Sequence, residues 1–389
     1  MTLTELAFYL RRFFPLAVLG LIILLILYLT VKIVELTRPT TPLVVVPTPT
    51  PAFGQLVPIQ IDSASPLPKD TQYVMDTLEG VPLIATSSAR IFFVPKRTPN
   101  LGFREKVGVI AKALKFDEGS TTSRLDTATD TYTLVDRTKR LVVNIDNFNY
   151  TYSQEFDEQM RLALSSASML NEDGVKTKAQ EILRLLNRYP TDLAQGIQTV
   201  SYIAYREASG SAQASADIVQ DPQIANMVAV DFFPPKISDI DTVTEDFVSS
   251  PSRVVFIPQN SKDDFVVKAQ VQIFERSEDQ NSSYPLKTGD QVFQDLQTGR
   301  GFLIQGSDAL RGKTLVNIKK LYLAYLIPGY YTPYIQPVYV FIGEDNFVAY
   351  IPAVIDAWVQ GAQVITPTLS VATPTADVPT PTPISIPVR

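Results

Sequence analysis

Cysteine and histidine are both absent from the 389 residues, and tryptophan occurs once. Without thiols there are no disulfides, thiolate zinc sites, iron-sulfur clusters or cysteine nucleophiles. Without imidazole there is no Ser-His-Asp relay, no zincin helix, no haem ligand of the usual kind and no side chain that titrates near neutrality when unperturbed. Any chemistry would have to come from carboxylates, lysine, serine or a hard metal ion. Clustered basic stripes are missing too, and a net charge of -6 with a pI near 5.0 repels phosphate backbones, so nucleic acid is not an expected partner. What is present is 45% hydrophobic residues, enough to bury cores without disulfides in domains of ordinary length.

Phe13 to Val31 carries no charge. As a helix it extends about 28 Å, the thickness of a hydrocarbon core, and is expected to hold the chain in a lipid bilayer through residues 13–31. A cleaved signal peptide would have a shorter apolar region ending at a small-x-small site, whereas here Lys32-Ile-Val-Glu-Leu36 follows. A buried core helix would need a partner, but Leu21 to Leu27 is apolar all round with nothing similar elsewhere to pack on. Arg11 and Arg12 before the span nearly balance Lys32 and Arg38 after it. The very short N-terminal tail, residues 1–12, and the uncharged stalk type favour a cytoplasmic N-terminus. The expected stalk covers residues 37–58, where six prolines favour extended polyproline II, and the same composition returns in residues 366–389 as an unfolded tail.

Between them the pattern predicts an α+β fold. Phe103, Val107, Ile110 and Leu114 recur at helical spacing, and Thr131 to Asp136 with Leu141 to Asp146 read as a hairpin around Arg137-Thr-Lys-Arg140. Together these define a first module, residues 70–152. Residues 153–190 read as an αα-hairpin opened by Ser153 as N-cap and closed before Pro190. A second antiparallel-sheet module, residues 191–358, is expected to hold strands near Thr199 to Arg206, Met227 to Phe233 and Val267 to Ile273. Then come a capping box at Thr288-Gly-Asp-Gln291 and strands at Phe302 to Ile304, Leu315 to Ile327, Pro337 to Ile342 and Phe347 to Pro352. Helix followed by hairpin near 103–146 and again near 288–352 suggests internal duplication, although α+β domains pack helices on hairpins routinely.

The chemical motifs fail on spacing. Gly306-Ser-Asp-Ala-Leu-Arg-Gly312-Lys313-Thr314 has five residues between its glycines where a P-loop has four, and it leads into a strand-like run, so no nucleotide is expected. Gly299-Arg-Gly301 lacks the third glycine of a dinucleotide fingerprint. Asp239, Asp241, Glu245 and Asp246 are the densest acidic group but lack the glycine and closing glutamate of a calcium loop. No catalytic residue, metal ligand or cofactor is assigned. Seven of the 17 tyrosines lie between Tyr322 and Tyr350. Tyr330, Tyr331 and Tyr334 share the Pro328 to Gln336 loop and form the candidate partner-binding group, with capping of the sheet edge as their alternative role.

The run Leu296-Gln-Thr-Gly-Arg-Gly301, Leu315 to Ile327, Tyr331 to Tyr334, Gln336-Pro-Val-Tyr-Val-Phe-Ile342 and Phe347-Val-Ala-Tyr-Ile-Pro352 resembles the C-terminal part of YycH/YycI-type ectodomains. The resemblance implies a bacterial, membrane-anchored extracytoplasmic regulator built from PepSY-related helix-plus-sheet modules. A non-enzymatic protein that binds a protein or peptide partner in the cell envelope is the leading expectation. A carboxylate-dependent envelope hydrolase and a surface structural or adhesive protein are the alternatives.

Overall fold

The computed structural model describes residues 21–30, 32, 49–77, 87–99, 101–207, 214–259, 264–306, 310 and 314–361. The expected tail 1–12, the remainder of the span, the stalk up to residue 48 and the tail 366–389 lie outside the described residues. The chain divides into two compact units, Met1–Pro47 and Thr48–Arg389. In the first, residues 21–30 are helical (α1), with the leucine and isoleucine side chains exposed. Among the described residues no helix is long and apolar enough to cross a membrane.

The second unit is α+β and rich in strands, with three sheets. Its strands are β1 (Ser65–Pro66), β2 (Gln72–Met75), β3 (Ser88–Phe93), β4 (Thr122–Asp126), β5 (Thr131–Asp136), β6 (Lys139–Asn144), β7 (Tyr150–Gln154), β8 (Ile197–Arg206), β9 (Ser215–Val219) and β10 (Met227–Phe233). They continue with β11 (Asp241–Thr244), β12 (Arg253–Ile257), β13 (Phe265–Val271), β14 (Asn281–Pro285), β15 (Phe302–Gln305), β16 (Leu315–Ile327), β17 (Tyr334–Ile335), β18 (Pro337–Gly343) and β19 (Val348–Pro352). The helices are α2 (Phe103–Ala113), α3 (Glu158–Ser165), α4 (Glu172–Leu185), α5 (Thr191–Ala194) and α6 (Gly289–Gln297).

The middle of the chain builds one sheet, in the order β4-β5-β6-β7-β13-β12-β10-β8-β9 and antiparallel throughout. Successive residues of a strand point to opposite faces, and the core clusters follow that alternation. Val228, Val230 and Phe232 join Val107 and Ile110 of α2 and Val175, Ala179 and Leu183 of α4. Met227 and Ala229 join Met160 and Ala163 of α3 on the other side. Helices α3 and α4 therefore straddle the sheet, which corrects the expected αα-hairpin. Ser153 is not an N-cap: it belongs to β7, opposite Arg140 and Lys268, and Asp157 caps α3 by accepting the Met160 N–H at 2.9 Å.

The flanking parts of the chain build the other half. A seven-stranded sheet runs β1-β15-β19-β18-β16-β11, and β2 also pairs with β16. Long β16 takes β2 in parallel over Leu315 to Ile318 and β11 in parallel over Ala324 to Ile327, with β18 antiparallel on its other edge. Against this sheet α6 buries Val292 and Leu296 beside Phe341, Ala349 and Ile351. The Thr288/Gln291 capping box starts α6, as the sequence predicts, and Gly299, at φ +74°, ends it. The third sheet is β14-β3-β17.

Three expected boundaries shift. The module limits at 152/153 and 190/191 fall inside the nine-stranded sheet, because β7 pairs with β13 across more than a hundred residues. Residues 49–58, expected to be stalk, are packed. Ser282 Oγ donates to Thr50 O and accepts the Ala52 N–H, both at 2.7 Å, and Leu56 N–H donates to Trp358 O at 2.8 Å with its side chain fully buried. Gln360 N–H in turn donates to Leu56 O at 2.9 Å, so the two ends of the folded unit are bonded to each other.

Candidate functional site

Two adjoining depressions, of about 710 and 460 Å³, lie where the segment after β3 and the loop before β17 approach the turns of the nine-stranded sheet. They share Lys96, Arg97, Asp146, Asn147 and Arg188. Lys106, Phe148 and Asn187 are among the other residues of the larger one; Asp130, Glu275, Phe274, Tyr330 and Tyr331 are among those of the smaller.

The floor is rigid for local reasons. Between β6 and β7 the run Asn144-Ile-Asp-Asn-Phe-Asn149 forms nested Asx turns: Asn144 Oδ1 accepts the N–H of Asp146 (3.1 Å) and Asn147 (3.2 Å), and Asn147 Oδ1 accepts that of Asn149 (2.8 Å). Phe148 takes φ +59° there. The Ile145 N–H donates to Asp130 O at 2.9 Å, tying this turn to the β4–β5 turn. Asn149, 3% exposed, acts as an extra rung of sheet: Nδ2 donates to Ile273 O at 3.0 Å and Oδ1 accepts the Ile273 N–H at 3.1 Å.

Charges converge on this floor. Arg188 donates to Asn149 Oδ1 at 3.3 Å and stands 3.8 Å from Glu275, which also pairs with Arg97. Burial works against the Arg188 charge, Glu275 supports it, and Arg97 opposes it. Arg188 Nε and Asp146 Oδ1 are buried without a hydrogen-bond partner. Unpaired buried polar atoms each cost roughly 1–3 kcal/mol, so the fold holds these two side chains in the cleft wall at some expense in stability. Burial, with a smaller push from Asp130, raises the Asp146 carboxyl above the usual range, against the pull of Lys96. The Lys106 amine lies 4.6 Å from the Phe148 ring centre, a cation–π contact.

The three candidate tyrosines separate. Tyr331 is 38% exposed, meets Phe274 edge-on at 6.1 Å and donates to Val94 O at 3.2 Å. Tyr330 borders the smaller depression while its hydroxyl bonds Gln60 O; burial, then Glu245 and Asp62, push its phenol up to about 12. Tyr334 faces away, stacked on Phe53 at 5.1 Å and tilted against Phe93 at 6.1 Å. The acidic group also disperses. Asp241 pairs with Lys236 at 2.7 Å, Glu245 accepts the Gly329 N–H at 2.8 Å, and Asp246 accepts from Ser249 Oγ at 2.6 Å. Asp239 sits at φ +65° in the tight turn before β11. Among the described residues no three carboxylates gather around a metal position. After Thr314 the chain enters β16, a strand where a phosphate loop would open a helix.

Sequence reading missed Asp146, Arg188 and the Lys96-Arg97 pair. Their signals were the Asn/Asp-rich run 144–149, read as strand as far as Asp146, and the Pro95-Lys-Arg-Thr-Pro99 segment, a basic pair between two prolines.

No family model matches the chain, and no curated protein matches it. Among solved structures the chain is similar to an uncharacterized protein from Eubacterium rectale at 11% identity and a TM-score of 0.33, covering 72% of this chain and 85% of that one. A likeness of that size carries neither fold assignment nor activity.

Proposed function

We propose that this chain is a membrane-tethered binding or regulatory protein that receives a protein or peptide partner in the cleft, with the folded unit on the extracytoplasmic side. The observation that carries the reading is the exposed Tyr331 ring on the border of a cleft that Lys96, Arg97 and Arg188 also line. Large rigid rings beside charged side chains are the ordinary makings of a recognition surface. The uncharged span and the exposed apolar side chains of α1 support the tether. A role as regulator of an envelope sensor accords with the YycH/YycI-type resemblance.

The test is in membranes with the full chain. Tyr331→Ser is expected to remove crosslinked partner while leaving thermal unfolding within a few degrees of the parent. Undiminished crosslinking by a correctly folded variant would overturn the reading. Protease added to intact cells is expected to release a fragment that starts upstream of Thr50, since Thr50 to Leu56 are bonded into the fold. Protection until lysis would reverse the orientation. The hydrolase alternative draws on Asp146, whose raised carboxyl neighbours Asp130. Asp146→Asn abolishing turnover of wall glycans or peptides, with partner capture intact, would favour it.

A further inference from the structure

The larger depression is electrostatically lopsided. Lys96, Arg97, Lys106 and Arg188 line it against one carboxylate, Asp146, in a chain whose net charge is -6. The positive groups are also under-neutralised by their own neighbours. Arg97 and Arg188 share the single carboxylate of Glu275, and the Arg188 contact is long at 3.8 Å. Lys106 is held over an aromatic ring. Lys96 makes no hydrogen bond or ion pair among the described residues, and its nearest influence is on Asp146. Lys96, Arg97, Lys106 and Arg188 thus bring four cationic side chains to one depression.

We infer that this depression is an anion subsite that takes the carboxylate side chains of an acidic peptide segment; the inference rests on the binding reading above and names its ligand. Carboxylates suit the donors, because guanidinium and ammonium groups in a partly desolvated cleft form charge-assisted hydrogen bonds about twice as strong as neutral ones. A peptide suits the rest of the cleft. Asn147 and Asn187 offer amide donors and acceptors to a backbone, and Phe148, Phe274 and Tyr331 provide apolar surface for neighbouring side chains. A nucleic acid would bring a run of phosphates against an acidic protein that has no further basic stripe to meet them.

The experiment uses the full chain in detergent micelles and three probes: a capped, fluorescein-labelled hexapeptide of alternating glutamate and glycine, its lysine counterpart, and inorganic phosphate as competitor. The acidic peptide is expected to bind about tenfold more tightly than the lysine peptide, to weaken as salt is raised, and to lose about tenfold on Lys96→Gln. Lys96 has no protein partner to lose, so that variant keeps its fold. Arg188→Gln is expected to weaken binding more, and is read only if its thermal unfolding is retained. Equal affinity for both peptides would overturn the inference. So would phosphate displacing the acidic peptide at equal concentration, which would make the subsite a general anion trap. If Lys96→Gln is silent while Tyr331→Ser abolishes peptide binding, the charge inference falls and the binding reading stands. If no peptide binds the parent and Tyr331→Ser leaves membrane crosslinking untouched, both fall.

Discussion

Around the seven-stranded sheet, the hydroxyls of Tyr284, Tyr325, Tyr339 and Tyr350 donate to the carbonyls of Gly54 (2.9 Å), Arg90 (2.8 Å), Lys287 (3.1 Å) and Thr244 (3.1 Å). In the nine-stranded sheet Tyr150 is as deeply buried, yet its hydroxyl has no partner, and the Tyr152 hydroxyl reaches only Gln154 at 2.8 Å. The contrast follows from how each half is assembled. The nine-stranded sheet is largely hairpins, whose strands find each other locally. The seven-stranded sheet joins three separated stretches of chain through β16, and the Tyr284, Tyr325 and Tyr350 bonds each tie segments far apart in the chain. The tyrosine excess near the C-terminus is thus mainly a stitching device. The proposed partner cleft lies at the turns of the nine-stranded half.

The largest test of that division is core truncation. Phe232→Ala in the nine-stranded half and Phe341→Ala in the other are each expected to cost about 3–5 kcal/mol, since both rings are fully buried. Because β11 leaves one half to join the other, chemical denaturation should shift as a single transition in both variants. Two resolved transitions would show that the halves are separate folding units.

Next in size is the buried charge group beneath α6. Lys287 Nζ lies 2.8 Å from Asp295 and 2.7 Å from Asp356, and Lys287 and Asp295 are 8% and 3% exposed. Lys287→Met leaves Asp295 with Arg300 alone at 2.5 Å and is expected to cost about 3 kcal/mol. A loss below about 1 kcal/mol would mean that the arginine suffices.

The tyrosine comparison itself predicts a sign difference. Tyr350→Phe and Tyr339→Phe, which orphan a carbonyl, should each cost about 1 kcal/mol, whereas Tyr150→Phe should be neutral or slightly stabilising. Equal losses at all three positions would break the contrast.

Much of the fold was legible where it is local. The α2 spacing, β5, β10, the long β16 and the α6 capping box are encoded within a dozen residues each, and the structure has them where periodicity puts them. What pairs across the chain was not legible. Nothing near Ser153 announces that it faces Lys268, and nothing in the proline-rich run before Leu56 announces that Val359 will bridge it. The same limit hid the cleft: Arg188 and Asp146 acquire meaning only when Glu275 and Asn149 bring their elements together. Tyr331, which composition singles out, borders the proposed cleft, while Tyr334, in the same run, stacks on Phe53.

The smallest expected effect is a pH dependence. The Asp117 N–H and the Ser120 hydroxyl, the latter at 2.6 Å, hold the Asp136 carboxyl below its usual range. A depressed carboxyl stabilises above its unfolded-state value, and that contribution is lost as pH falls through the native one. Asp136→Asn should therefore lower the melting temperature at neutral pH and match the parent in strong acid. A difference that persists unchanged into acid would assign the effect to packing.

The central claim is that partners enter the cleft between the tyrosine loop and the 144–149 turn. It is tested most directly by photo-crosslinking the full chain in its own membrane from two exposed positions. One is Ala128, on the rim of the smaller depression, and the other is Leu185, an exposed apolar residue of α4 away from it. A discrete adduct from Ala128 that the acidic peptide competes away, with none from Leu185, is the predicted result. An adduct from Leu185 alone, or one from Ala128 that the peptide leaves untouched, would contradict it.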